Sequence, residues 1–449
     1  MTTKHPNNIN LLDTLIQKAK AAGADNVDAL FVEGVSNSTS IRQGKLEDLH
    51  RSEGKDLGLR VQIGKRQAIV SSSDVRESII PSLVERAMDM ARVAPEDPWC
   101  GLADKDRLAH GPFEDLQLFD NHEPSVEDLK KLAGEAEEAA MAVKGVTNSD
   151  GGSAGFHQAS VALATSDGFQ GYYQSSSFSV SVSALASDDN GMERDYDYSS
   201  RHFFSDLKSA SEVGLSAGTR TVKRLNSRKV ESQQVPMVFD PRVSNSLLGH
   251  FSGAINGHGV ARGSSFLKDM MGEQVFTKGI TIVDKPKLIR GPRSKPFDGE
   301  GVNTETLFVI EDGMLKSWVL DSASAMQLGL ETTGHATRGT SGPPGAGTTN
   351  FYMTEGNISP EALIKDIDQG FYITELVGMG VNGVTGDYSR GAVGFWIDKG
   401  EIAFPVSEVT IAGNLKDMFK NITPADNLVF DYGTNAPTLR VDGMMLAGA

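Results

Sequence analysis

Cysteine is almost missing from this sequence. A single residue, Cys100, stands among 449. That excludes an internal disulfide and any cysteine-rich zinc site, and it suits a reducing compartment. Long apolar runs are missing as well: no stretch approaches the roughly 20 apolar residues that a spanning helix needs, so no membrane partner is expected. Residues 1–8 (MTTKHPNN) lack the apolar segment of an export signal, so a cytoplasmic location is expected. Basic charge is scarce. With 43 Lys and Arg against 59 Asp and Glu, the formal net charge is −16. A phosphate backbone requires clustered cations, so a nucleic-acid partner is disfavoured. The one local basic cluster, 285–295 (KPKLIRGPRSK), contains Pro and Gly and reads as a solvated loop.

What is present points to two domains, 1–226 and 227–449, because one core stops growing well before 449 residues. Apolar residues at helical spacing predict a helix over 11–22, stopped by Gly23. Alternating runs at 27–32, 38–46, 56–63 and 66–72 then read as an antiparallel meander, followed by a helix over 77–91. Residues 93–123, rich in Pro, Asp and Gly, read as a linker or long surface loop with Trp99 as an aromatic anchor. Ser125 and Asp128 resemble a capping box opening a helix over 126–143. A second meander follows at 159–165, 171–178, 179–186 and 192–198, and then a helix over 206–225 loosened by Gly214 and Gly218. Helix–meander–helix therefore occurs twice, which suggests an internal duplication.

After residue 227 glycine becomes denser, and the expectation is a mostly-β domain, barrel-like or two-sheet, giving an α+β chain overall. Helices are expected over 243–256 and 360–368, the second with Ser359 as N-cap, Pro360 at N1 and Gly370 as its stop. Asp312-Gly313 and the Asp398–Gly400 segment carry hairpin chemistry. Asn414 can cap a helix bearing Leu415, Met418, Phe419 and Ile422. Residues 339–349 (GTSGPPGAGTT) read as a flexible loop.

The runs 385–391 (TGDYSRG), 394–408 (GFWIDKGEIAFPVSE) and 410–422 (TIAGNLKDMFKNI) resemble the TldE (PmbA) branch of the TldD/PmbA family. The likeness covers most of the chain and is densest over 244–422. It implies a subunit of a cytosolic zinc metallopeptidase complex acting on unfolded or modified peptides, in which a TldD-like sister holds the zinc. In such sisters a helix carries His-Glu-x-x-x-His. Aligned with it, Gly249 stands at the first His, His250 at the Glu and Ala254 at the second His. The sister's further cysteine ligand is also missing, since Cys100 lies in the other half. The resemblance thus implies no catalytic residue, no metal and no other cofactor in this chain, which would complete a substrate chamber as one half of a heterodimer. The alternative from another class is a homodimeric, non-catalytic peptide-binding or regulatory protein.

Other residues carry candidate chemistry independent of the resemblance. His250 and His258 are too far apart along a helix to share an ion, and the sequence around them offers no carboxylate. Asp387, Tyr388, Ser389 and Arg390 place a carboxylate, a phenol, a hydroxyl and a guanidinium in one turn, able to clamp a peptide backbone or a partner loop. The structural alternative is an Asp387–Arg390 pair bracing the turn. His335, Asn350, Asp298 and Glu300 are further candidates for substrate or partner binding. For His335 the competing reading is a solvated or backbone-bonded loop histidine. Gly378–Gly383 fits GxGxxG but is followed by more glycine and no helical period, so it reads as a turn. Ser265 and Lys268 fit Ser-x-x-Lys by chance, with no Lys-Thr-Gly to accompany them.

Overall fold

In the computed structural model, which describes residues 7–189 and 191–448, the first half builds one sheet from two similar units. Helix α1 (Asn7–Ala21) leads into strands β1 (Asn26–Arg42), β2 (Lys45–Ile63) and β3 (Arg66–Ser72), and helix α2 (Ile80–Val93) follows. Helix α3 (Val126–Met141), strands β4 (Asn148–Thr165), β5 (Gln170–Asp188) and β6 (Gly191–Arg201), and helix α4 (Ala210–Lys223) repeat that order. The strands pair as β3-β2-β1-β4-β5-β6, so the first strands of the two units meet at the centre of a six-stranded antiparallel sheet.

The strands are longer and fewer than the apolar runs suggest. The expected strand over 38–46 is split by a hairpin at Gln43 and Gly44, whose φ values of 51° and 69° match the right-handed twist of the flanking strands. The runs 171–178 and 179–186 fuse into β5, because alternation continues through both. The capping box at Ser125 and Asp128 is formed, and Ser209 with Glu212 forms another at the start of α4. Gly214 and Gly218 do not loosen α4. They face α3, where added side-chain carbons would overlap the Ala136 and Ala140 carbonyl oxygens.

The 93–123 segment links α2 to α3 but is not a surface loop throughout. It is a strap between the halves: Cys100, Leu108, Leu116 and Leu118 are buried, and Ala109 N–H donates to the Gly301 carbonyl. Trp99 is 37% exposed, so its neighbour Cys100, not the indole, is the buried residue. The 285–295 cluster is tied down as well: Arg290 pairs with Asp206, and Lys295 is held below its usual range by burial.

The second half begins with strand β7 (Gln233–Phe239) and helices α5 (Pro241–Ala254) and α6 (Gly257–Ala261). Strands β8 (Ile282–Asp284) and β9 (Leu307–Glu311), helix α7 (Ser322–Leu328) and strand β10 (Phe351–Met353) come next. Then follow α8 (Pro360–Ile364), β11 (Gln369–Val381), β12 (Asp387–Asp398), β13 (Glu401–Asn414), α9 (Leu415–Lys420) and β14 (Leu439–Ala447). The order β13-β12-β11-β7-β14 closes on itself because Thr410–Ala412 also pair with 445–447. Closure gives a five-stranded barrel without free edges. Strands β8, β9 and β10 belong to a second small sheet. Hairpins turn at Asp312-Gly313 and at Lys399-Gly400, all four with positive φ. Gly370 does not end α8, which stops at Ile364; it already belongs to β11. Residues 336–337 pair with 345–346 as a short hairpin whose second strand lies in the glycine-rich 339–349 segment, and Thr340 packs against Gly58 of β2.

The largest core fills the barrel and the space beneath α5 and α9, with Phe239, Phe251, Phe276, Phe371, Tyr388 and Phe419 among its buried rings. Where the halves meet, Asp28 of β1 lies between Arg60 of β2 and Arg338, at 2.5 Å from each, and all three are almost fully buried. Among the described residues no helix is long and apolar enough to cross a membrane.

Candidate functional site

Helix α5 starts where the Asp240 carboxylate accepts the Arg242 N–H and Pro241 fixes the first turn. Its apolar stripe, Val243, Leu247, Leu248, Phe251 and Ala254, packs into the barrel core. Gly249 and Gly253 lie on the opposite, exposed side, with His250 half-buried beside them. A cavity of about 510 Å³ opens against this face, its walls including Arg262, Phe266, Met379 and Leu415.

The His250 ring meets Tyr388 edge-on, with centroids 5.9 Å apart and planes at 76°. Burial, and then the positive charge of Arg390, hold the His250 imidazole below its usual range. Burial pushes the Tyr388 phenol up. His250 Nε2 and the Tyr388 hydroxyl are buried with no hydrogen-bond partner among the described residues. Such atoms are costly in a folded protein unless something meets them.

Residues 387–390 do not form one clamping turn. They open strand β12, and its two-residue period sends them to different faces. Tyr388 points inward, 1% exposed, and Asp387 and Ser389 are exposed. Asp387 does not brace Arg390. Its carboxylate accepts from Thr385 Oγ1 at 2.6 Å and Asn414 Nδ2 at 3.0 Å, and these two bonds hold it below the usual carboxylate range. Arg390 donates to the Val377 carbonyl at 3.4 Å.

The other candidates are internal. His335 is 1% exposed, neither solvated nor lining a groove. Its Nδ1 lies 2.8 Å from the Thr333 carbonyl and its Nε2 3.2 Å from the buried Asp284 carboxylate. Asn350 accepts the Arg293 N–H and donates to the Lys285 carbonyl and Ser294 Oγ. Asp298 accepts the N–H groups of Glu300, Val302 and Ala336. Glu300 accepts the N–H and hydroxyl of Ser322. These side chains hold loops together where the strap and α7 pack, away from the cavity on α5.

His258 is a further correction. A carboxylate does stand beside it: Asp321, supplied from the N-cap of α7, lies 2.9 Å from its Nε2. That hydrogen bond raises the His258 pKa. The two residues are 63 positions apart, and no local pattern announces the pair. Arg262 and Met379 are cavity residues that the sequence does not reveal: Arg262 belongs to no motif, and Met379 lies in the Gly378–Gly383 segment that reads as a turn. Among the described residues no group of three or more His, Cys, Asp or Glu side chains is placed to hold a metal ion.

Comparison with known proteins settles the lineage. Profiles of the PmbA/TldA metallopeptidase match in chain order: domain 1 over 27–91, the central domain over 119–225 and the C-terminal domain over 232–448. The Escherichia coli O157:H7 protein named Metalloprotease PmbA is 40% identical over 405 residues, covering 90% of this chain and 88% of that one. The chain belongs to the PmbA/TldD family. A Metalloprotease PmbA homolog of Haemophilus influenzae is 35% identical over 96% of this chain and 93% of its own. Among solved structures, TldE from Thermococcus kodakarensis superposes with a TM-score of 0.86, covering 98% of this chain and 100% of that chain. A protein of Bacteroides thetaiotaomicron described as a putative modulator of DNA gyrase reaches 0.91, with full coverage of both chains. At 20% and 24% identity these two establish the fold and nothing finer.

Proposed function

We propose that this chain is the metal-free subunit of a two-subunit zinc metallopeptidase, pairing with a TldD-like sister in the cytoplasm and completing a chamber for unfolded or modified peptides. The carrying observation is the composition of α5. Gly249 and Ala254 offer no donor atom where the resemblance places the sister's two histidines, and His250 replaces the carboxylate between them. The setting of His250 agrees: it packs on Tyr388, and the nearby Arg390 charge disfavours a second cation. Zinc therefore does not fit these residues, and peptide-bond hydrolysis is assigned to the sister.

Co-expression with a TldD-like protein tests this reading. The expected result is a stoichiometric complex on size exclusion, one zinc per pair by metal analysis, and peptide cleavage only when both chains are present. Cleavage by this chain alone with added zinc would overturn it. A stable homodimer that ignores the sister would favour the peptide-binding alternative.

A further inference from the structure

The surface of α5 beside the cavity is built against helix stability. Gly249 and Gly253 lie in regular helix without positive φ, and a side-chain carbon at either would meet nothing within 4 Å. Neither backbone conformation nor crowding calls for glycine there, unlike Gly214, which the α3 backbone excludes from bearing a side chain. Glycine weakens a helix relative to alanine. What the two glycines preserve is open space.

That space has a definite chemistry. Its volume of about 510 Å³ falls within the range of small-ligand sites. None of its lining residues is acidic, although the chain as a whole carries −16. Arg262 lines it without an ion pair or side-chain hydrogen bond among the described residues. Phe266, Met379 and Leu415 supply an apolar wall, and Met379 is 94% exposed. The His250 ring lines the cavity too, and its Nε2 has no hydrogen-bond partner among the described residues.

We propose that this cavity binds the free C-terminal carboxylate of a peptide whose last side chain is apolar. Arg262 receives the carboxylate. Phe266, Met379 and Leu415 cover the terminal side chain, and the bare backbone at Gly249 and Gly253 lets the peptide main chain lie close. The inference goes beyond the partner-subunit reading and stands without it, because binding is read on this chain alone.

The test is calorimetric titration of the full chain with N-acetyl-Ala-Ala-Leu as the free acid and as its C-terminal amide. The acid is expected to bind at least tenfold more tightly than the amide. Arg262→Gln should weaken the acid several-fold and leave the amide unchanged. Gly253→Leu, which fills the cavity, should abolish binding with an unchanged or raised Tm; Gly253→Ala serves as the milder filling if leucine impairs folding. Equal binding of acid and amide, no binding of the acid, or full binding by a folded Gly253→Leu variant would each overturn the proposal. A failure of the co-expressed complex to cleave would leave these outcomes untouched.

Discussion

His250 and His258 are the same residue type in adjoining helices, yet their surroundings push them in opposite directions. Burial lowers His250, and the Asp321 hydrogen bond raises His258. A proton-titration series followed by NMR should find one histidine with a midpoint below the ordinary value near 6.5 and one above it, the latter moving down in Asp321→Asn. The raised value means that the His258–Asp321 pair contributes its full stabilisation below the unfolded pKa and loses it as pH rises through the folded one. Glu300 raises a similar question with a different chemistry. Burial, and then the neighbouring Asp298 charge, push its carboxyl up to about 7 from 4.5. The folded state thus holds that proton more tightly than the unfolded chain, and stability falls as pH climbs from about 4.5 to 7. Glu300→Gln keeps an acceptor for Ser322 and removes the titration. Its Tm relative to the parent should improve between pH 5 and pH 8, and an offset identical at both values would contradict the assignment.

Among elements, the glycines of α4 and α5 make opposite claims on their helices. Gly214 lets α4 approach the α3 backbone, so Gly214→Ala should destabilise by about 1–3 kcal/mol through overpacking. Gly249 faces open space, so Gly249→Ala should stabilise by roughly 0.5–1 kcal/mol. Urea denaturation of both variants checks the pair. Equal and same-signed changes would mean that these helix contacts do not govern their stability. The α3 cap offers an internal reference: Ser125→Ala removes the oxygen that accepts the Asp128 N–H and should cost about 1 kcal/mol.

At the scale of the molecule, the two halves are locked by a buried charge cluster. Burial opposes ionisation of Asp28, but Arg338 and Arg60 outweigh it and hold the carboxyl below its usual range. Arg338 comes from the second half and Arg60 from the adjacent strand, so removing Asp28 leaves two guanidinium groups uncompensated between the halves. Asp28→Ala should destabilise by about 3–5 kcal/mol, seen as a large drop in thermal midpoint. The double replacement Asp28→Leu with Arg338→Met should recover a good part of that loss, because it removes charge from both sides of the interface. A single Asp28→Ala variant with an unchanged midpoint would show that the cluster contributes little.

The sequence by itself determined what depends on neighbours a few residues away. The 3.6-residue apolar stripes of α1 and α3, the Ser125 cap and the turns at Asp312-Gly313 and Lys399-Gly400 are local, and each follows from side-chain spacing or from backbone freedom. The family was legible for the same reason: identity at a position needs no third dimension. Tertiary structure alone decided that the two meanders share one sheet, that five strands close into a barrel, and that the strap at 93–123 is buried. It also moved His335, Asn350, Asp298 and Glu300 into internal networks, split 387–390 between two faces of β12, and brought Arg262 and Met379 to the cavity. Strand pairing and burial depend on contacts between residues tens to hundreds of positions apart. The chemistry of one side chain does not specify which distant partner will reach it.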